Sequence, residues 1–220
     1  LFTYIIKDNS LYFSSSKKDF EGEVNFKPFY FSTDLNFNYI SQKKIFQSES
    51  LLIDLLDSEL LNNPNLNASI NIKIDKIDKF EYLQDFISKI HLGEGRILIK
   101  DFNTQWNNSV SIRSNEIEFL NDVDGKKLVG EIIFDFEDIE KFFRYFQIKR
   151  NYRDVFDEIR LDFVYDLSLD KLIMNNMKID NKSYKKTDKF LNQYNKNKNN
   201  SFNKVTIRNF IKEFFQIYSG

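Results

Sequence analysis

Hydrophobic and polar residues alternate along much of the chain with a period of two. In "NLNASINIKIDKI", Asn65 to Ile77, the residues Leu66, Ala68, Ile70, Ile72 and Ile74 share one parity, and Asn67, Ser69, Asn71, Lys73 and Asp75 share the other. Side chains of successive strand residues point to opposite faces, so this stretch predicts a strand with one apolar and one wet face. "FTYII" and "SLYF" predict two short strands bent at Asp8-Asn9-Ser10, which is turn chemistry. Gly22 opens a longer run with Val24 and Phe26 on one parity. Pro28 interrupts it, and Phe29, Phe31, Leu35, Phe37 and Tyr39 follow on the other parity, which predicts a bulge or an edge position.

Further along, Ile97 and Ile99 share a parity, as do Val110 and Ile112, and then Ile117 and Phe119. Asp124-Gly125 is a hairpin signal, with Ile132 and Phe134 in the strand that follows. Ile159, Leu161, Phe163 and Tyr165 are in phase, and "KLIMNNMKID" is expected to pair with them through a turn near Ser168 to Lys171.

Three segments carry a helical period instead. "SESLLIDLLDSELL" has Ser48 as candidate N-cap and Leu52, Leu55 and Leu56 at helical spacing. Ile139, Phe142, Phe143 and Phe146 form one helical face, with Asp135 or Asp138 as cap and acidic residues in the first turn, as the helix dipole prefers. At the end, Ile207, Phe210, Ile211, Phe214, Phe215 and Tyr218 form an apolar stripe between a candidate cap at Asn203 and a stop at Ser219-Gly220. Between Asp78 and Ile90 the pattern is ambiguous: Phe80, Leu83, Phe86, Ile87 and Ile90 fit a helix, while the ends fit a strand. The expected class is β-rich α+β: an open antiparallel sheet solvated on one face, a few short helices and a C-terminal amphipathic helix.

Composition narrows the function. Of 220 residues, 41% are apolar and 24 are Phe, too much apolar matter for a disordered chain. A net charge of −1 argues against nucleic acid as partner, since duplex binding needs surplus cations. Cysteine is absent, which removes disulfides and thiolate metal sites and fits an oxidising compartment. No apolar run approaches the roughly 18 residues of a membrane-spanning helix. The chain opens with Leu1 and without a signal peptide, so a fragment or processed chain is expected, with any anchor upstream. Between Lys182 and Lys204 there are seven lysines and one aspartate, and this low-complexity stretch reads as a solvated connector. The expected organisation is therefore a β-rich segment at 1–181, a polar basic linker at 182–202 and an amphipathic helix at 203–220.

Candidate chemistry is sparse. His91 is the single imidazole, and beside Gly93 it reads as a turn or surface residue. Asp135, Glu137, Asp138 and Glu140 cluster, but a helix N-terminus explains them more simply than a metal, so no metal and no cofactor is expected. Lys149, Arg150 and Arg153 could hold a phosphate such as a lipid headgroup, although such clusters are more often solvated turns. Glycine-rich phosphate loops, nucleophile elbows and zinc spacings do not occur, and no catalytic residue is expected. The terminal stripe reads first as a cover for the sheet, with a membrane surface or a protein partner as alternatives.

From Gly93 onward, "GRILIKDFNTQWNNSVSI", "LVGEIIFDFEDIEKFFRYFQIKRNYRDVFDEIRLDFVYDL", "MNNMKIDNKSY" and "FNKVTIRNFIKEFFQIYSG" resemble the C-terminal part of AsmA-like proteins, relatives of TamB and YhdP. The resemblance implies an envelope protein of a Gram-negative bacterium, anchored in the inner membrane and projecting through the periplasm. It implies repeated strands forming a groove whose apolar concave face conducts phospholipid towards the outer membrane. Read with the alternation, it makes Phe29, Phe31, Leu35, Phe37, Leu66, Ile70, Ile72, Ile74, Ile97 and Ile99 the expected lipid-facing residues. The expected partners are phospholipid and other envelope proteins. The rival expectation is a non-catalytic scaffold whose apolar face is filled by its own helices.

Overall fold

The structure, a computed structural model, describes residues 2–17, 19–40, 66–77, 82–122, 125–196 and 204–220. The helix expected from Ser48 lies outside them, as do Asp124 of the expected hairpin turn and the cap expected at Asn203. Among the described residues, twelve strands follow one another in chain order in one open sheet, β1 to β12, that does not close on itself. They are β1 (Phe2–Lys7), β2 (Ser10–Ser15), β3 (Phe20–Phe26), β4 (Phe29–Phe37), β5 (Ala68–Lys76), β6 (Leu83–Gly93), β7 (Arg96–Trp106), β8 (Val110–Asp122), β9 (Gly125–Phe136), β10 (Glu158–Asp166), β11 (Lys171–Ile179) and β12 (Lys182–Ser183). The helices among the described residues are α1 (Ile139–Phe146), α2 (Lys185–Lys196) and α3 (Lys204–Ser219), with a 3-10 turn at Arg150–Tyr152. The chain is thus β-rich α+β, as the alternation implies. It divides into two compact units, Leu1–Gln105 and Trp106–Gly220.

In Leu1–Gln105, the strands are joined first by tight hairpins. Asp8 and Asn9 both adopt positive φ, 49° and 66°, the combination that a two-residue hairpin between right-twisted strands requires. Pro28 is neither a bulge nor an edge residue: Lys27–Pro28 is the two-residue turn between β3 and β4, with Phe26 directly opposite Phe29. A two-residue turn puts residues i and i+3 on the same face, which is the physical cause of the parity flip there. One pair departs from the expected antiparallel pattern. β4 and β5 run parallel, with Phe31 beside Ala68 and Phe37 beside Ile74. A parallel pair needs a crossover connection of a dozen or more residues, and the stretch of sequence between Phe37 and Ala68 is long enough for one. The ambiguous segment resolves as strand from Leu83, because its apolar residues complete a ladder with β5.

In Trp106–Gly220, β8 to β11 form an antiparallel meander. The parity change between Ile112 and Ile117 marks a register shift after Arg113. Gly130 sits opposite Ile117, where a β-carbon would come within 3.0 Å of Glu116 O and 3.2 Å of Ile117 Cα. On the other side of β9 the same glycine faces Phe163. α1 starts where expected, with Asp138 Oδ1 accepting the Lys141 amide at 2.8 Å. The stretch expected as a linker is instead largely helical: α2 buries Thr187, Phe190 and Leu191 despite its lysines. The remaining linker residues, 197–202, lie outside the described residues.

Candidate functional site

Register decides which side chains share a face. In Leu1–Gln105, Phe2, Tyr4 and Ile6 of β1 stand opposite Ser15, Phe13 and Leu11 of β2. Leu11 and Phe13 stand opposite Val24 and Gly22 of β3. Phe20, Gly22, Val24 and Phe26 face Leu35, Thr33, Phe31 and Phe29 of β4. Phe31, Thr33, Leu35 and Phe37 align with Ala68, Ile70, Ile72 and Ile74 of β5. These in turn oppose Leu92, Ile90, Ser88 and Phe86 of β6. Six consecutive strands therefore present one continuous apolar face. The opposite face carries Ser14, Glu21, Glu23, Ser32, Asp34, Asn71, Lys73, Lys89 and His91, with Ile5, Tyr12, Tyr30 and Ile87 as its apolar members.

Burial is graded across the apolar face. Ala68, Ile70, Ile74, Ile90 and Leu92 are buried, whereas Phe2, Tyr4, Ile6, Phe26 and Phe29 are exposed. Phe31, Leu35, Phe37 and Ile72 lie between these extremes. Aromatic rings tile the β1–β4 portion: Phe13 stacks on Phe31 at 6.0 Å between centroids, and Phe20 lies 6.0 Å from Phe2 and 6.4 Å from Phe13. Near β7, Phe102 meets Phe86 edge-on at 5.4 Å. Beside Ser15 at its margin, two further hydroxyls interrupt the grease. Thr33 donates to Glu21 O at 2.9 Å. Ser88 is buried opposite Ile72, and its hydroxyl has no hydrogen-bond partner among the described residues.

Of the expected lipid-facing residues, register brings Phe29, Phe31, Leu35, Phe37, Ile70, Ile72 and Ile74 together on this face. Ile70 and Ile74 are its buried floor, so Phe29, Phe31, Leu35, Phe37 and Ile72 are the reachable members. Leu66 precedes β5 and is half-buried; Ile97 is buried and Ile99 half-buried in β7. Sequence reasoning missed Phe2, Tyr4, Ile6, Leu11, Phe13, Phe20, Val24, Phe26 and Phe86. The signal was present: parity resets at each two-residue turn, so even residues of one strand join odd residues of the next.

The remaining candidates lie elsewhere in the fold. His91 lies in β6 opposite Ser69 on the wet face, not in a turn. Each carboxylate of the acidic cluster that the structure ties down has an ordinary task. Asp138 caps α1, Asp135 receives Arg113 at 2.5 Å, and Glu140 receives Arg153 at 3.2 Å. Among the described residues, no group of three or more potential metal ligands converges. Arg153 is a clamp: its Nε donates to Ile148 O at 2.9 Å and its guanidinium sits 5.8 Å from the Phe143 ring centroid. Lys149 and Arg150 stay exposed beside it.

In Trp106–Gly220 the apolar sheet face is covered by protein. Val110, Ile159, Leu161, Met174 and Ile179 from the strands join Phe142, Phe143 and Phe146 of α1, Phe190 and Leu191 of α2, and Phe214 and Phe215 of α3 in one buried cluster. Phe215 stacks on Phe156 at 5.7 Å and meets Phe143 edge-on at 5.1 Å. The terminal stripe therefore docks on its own unit. On the opposite sheet face, Arg113 bridges Asp135 and Glu158, and Arg160 pairs with Glu158 at 2.5 Å. No described helix is long and apolar enough to cross a membrane.

The fold and this face define a β-rich open-sheet protein with one apolar surface partly exposed in its first unit. No family model, no curated protein and no solved structure matches the chain.

Proposed function

We propose that the apolar sheet face of Leu1–Gln105 is a contact strip for phospholipid acyl chains, and that the chain is a lipid-conducting segment of an AsmA-like envelope protein. The observation that carries this reading is the register of β1 to β6, which collects their apolar side chains on one face and leaves Phe2, Tyr4, Ile6, Phe26 and Phe29 exposed. Apolar attraction is non-directional, so hydrocarbon tails can rest on such a strip without a shaped pocket. Large contiguous apolar patches on a folded surface mark interaction sites. No proton transfer or nucleophile is required, and the role is binding rather than catalysis. The resemblance noted in the sequence supplies the rest of the proposal: a periplasmic location, an inner-membrane anchor elsewhere in the protein, and other envelope proteins as partners.

The helix-covered face of Trp106–Gly220 favours a different role for that unit. Its aromatic cluster is closed by α1, α2 and α3, as the scaffold reading requires. We assign it structural support, not lipid contact. Native mass spectrometry of the chain purified from a Gram-negative host tests the proposal. Co-purifying phospholipid, lost when Phe29 and Phe31 are both replaced by Asp, is the expected result. A lipid-free spectrum that stays unchanged on incubation with phospholipid would contradict it.

A further inference from the structure

Cations are placed in two ways in Trp106–Gly220. Arg113, Arg153 and Arg160 each pair with a carboxylate. A second group gathers where α1 ends. From Lys141 to Arg153 the sequence holds five cations, Lys141, Arg144, Lys149, Arg150 and Arg153, and no carboxylate. α3 brings two more. Arg208 donates to the uncharged Gln147 Oε1 at 3.0 Å, just past the end of α1. Lys212 follows one turn later on the same side of α3. At the far end of α3, Ser219 Oγ donates to Tyr152 O at 3.0 Å, so this helix runs past both the end of α1 and the 3-10 turn.

Arg144, Lys149, Arg150 and Arg208 are exposed, and Lys212 is half-buried. Among the described residues, none of these five forms an ion pair. The carbonyl end of α1 favours a cation in its last turn, which accounts for Arg144 and leaves the other four unexplained. The whole chain carries −1, so the surplus is local to this corner. The corner offers no ring for base stacking: Phe142, Phe143, Phe146 and Phe215 are buried, and Tyr145 is held edge-on against Trp106 at 5.8 Å. It does offer an aliphatic group, because Val205, three residues before Arg208 on α3, is 68% exposed.

We propose that this corner docks on the surface of an anionic phospholipid bilayer. Charge complementarity selects the partner: unpaired cations distributed over α1, the 3-10 turn and α3 match a plane of phosphates better than they match a single one. Each lysine or arginine close to such a surface strengthens binding about fivefold. Cations with an exposed aliphatic residue among them suit the boundary between headgroups and acyl chains. The folded elements hold the cations in place beforehand, so little ordering cost opposes the contact. The surface lies wholly within Trp106–Gly220, whose apolar core is closed, and it does not rest on the lipid strip proposed for Leu1–Gln105.

The test is co-sedimentation of the full chain with vesicles of phosphatidylcholine, alone or with about 30% phosphatidylglycerol. Binding is expected to need the phosphatidylglycerol and to be lost in about 1 M NaCl, where charges are screened beyond about 3 Å. Lys149→Gln with Arg150→Gln and Arg208→Gln is expected to weaken it about a hundredfold. Lys7→Gln with Lys17→Gln and Lys27→Gln changes the net charge equally at exposed sites of the first unit and should leave binding within about twofold. Circular dichroism should show the same fold in all three proteins. A chain that ignores these vesicles, binds both kinds alike, or loses binding equally in the two triple variants would overturn the proposal. So would binding of a fluorescent RNA oligonucleotide in place of the vesicles. Acyl contact through Phe29 and Phe31 does not depend on phosphatidylglycerol or salt, so the outcome is read separately from the proposed function.

Discussion

Gly22 is the residue on which the aromatic tiling of the first unit turns. It lies on the apolar face between Phe13 and Thr33, and a β-carbon there would come 2.2 Å from Ser32 O and 2.9 Å from Thr33 Cα. Backbone cannot retreat as a side-chain tip can. Gly22→Ala is therefore expected to destabilise the unit by about 2–3 kcal/mol, read as a lower midpoint in urea unfolding. Tyr218 provides a second residue-scale test. Burial, and then its hydrogen bond with Tyr184, push its phenol up to about 12 from the ordinary 10.0. The folded state thus prefers the neutral phenol. Its contribution to stability is complete below pH 10 and is lost as pH rises towards 12. Tyr165 moves in the same direction, through burial and its bond to Asp170. Stability is expected to fall between pH 10 and 12, with a shallower fall in Tyr218→Phe; a fall of unchanged steepness would show that Tyr218 does not contribute.

At the scale of elements, α3 is held by packing. An isolated helix of its length is marginal in water, so its stability comes from the side chains it buries. Phe215 is 1% exposed within the aromatic cluster, and Phe215→Ala is expected to cost about 3–5 kcal/mol in chemical denaturation. Val205→Ala on the exposed side of the same helix should cost within about 0.5 kcal/mol. Equal effects would mean that the helix does not dock as described. The helical period of Phe142, Phe143 and Phe146, and that of the α3 stripe, were legible because each apolar face is wide and unbroken. α2 was not: its lysines and asparagines hide Phe190 and Leu191, two anchors too few to show a period by themselves. Pro28 misled for a different reason. A proline inside an apolar run and a proline in a two-residue turn give the same local pattern, and only the pairing of Phe26 with Phe29 separates them.

At the scale of the molecule, alternation revealed that one sheet face is apolar, but not how far that face extends. Each strand announces its own parity, whereas the relation between strands depends on turn length and on the parallel join of β4 to β5. That relation merges Phe29 to Phe37 with Phe2, Phe13 and Phe20, and it separates the exposed strip from the floor at Ile70 and Ile74. The rival picture of a face filled by the protein's own helices was also legible in the terminal stripe, and it holds for Trp106–Gly220.

The central claim is that lipid meets one face of β4 and not the other. A photo-crosslinking amino acid placed singly at Phe29, Phe31 and Leu35, and at Tyr30, Ser32 and Asp34, tests it with radiolabelled phospholipid. The expected result is labelling at the first three positions and little at the second three. Labelling that ignores this alternation, or that favours Tyr30, Ser32 and Asp34, would contradict the account.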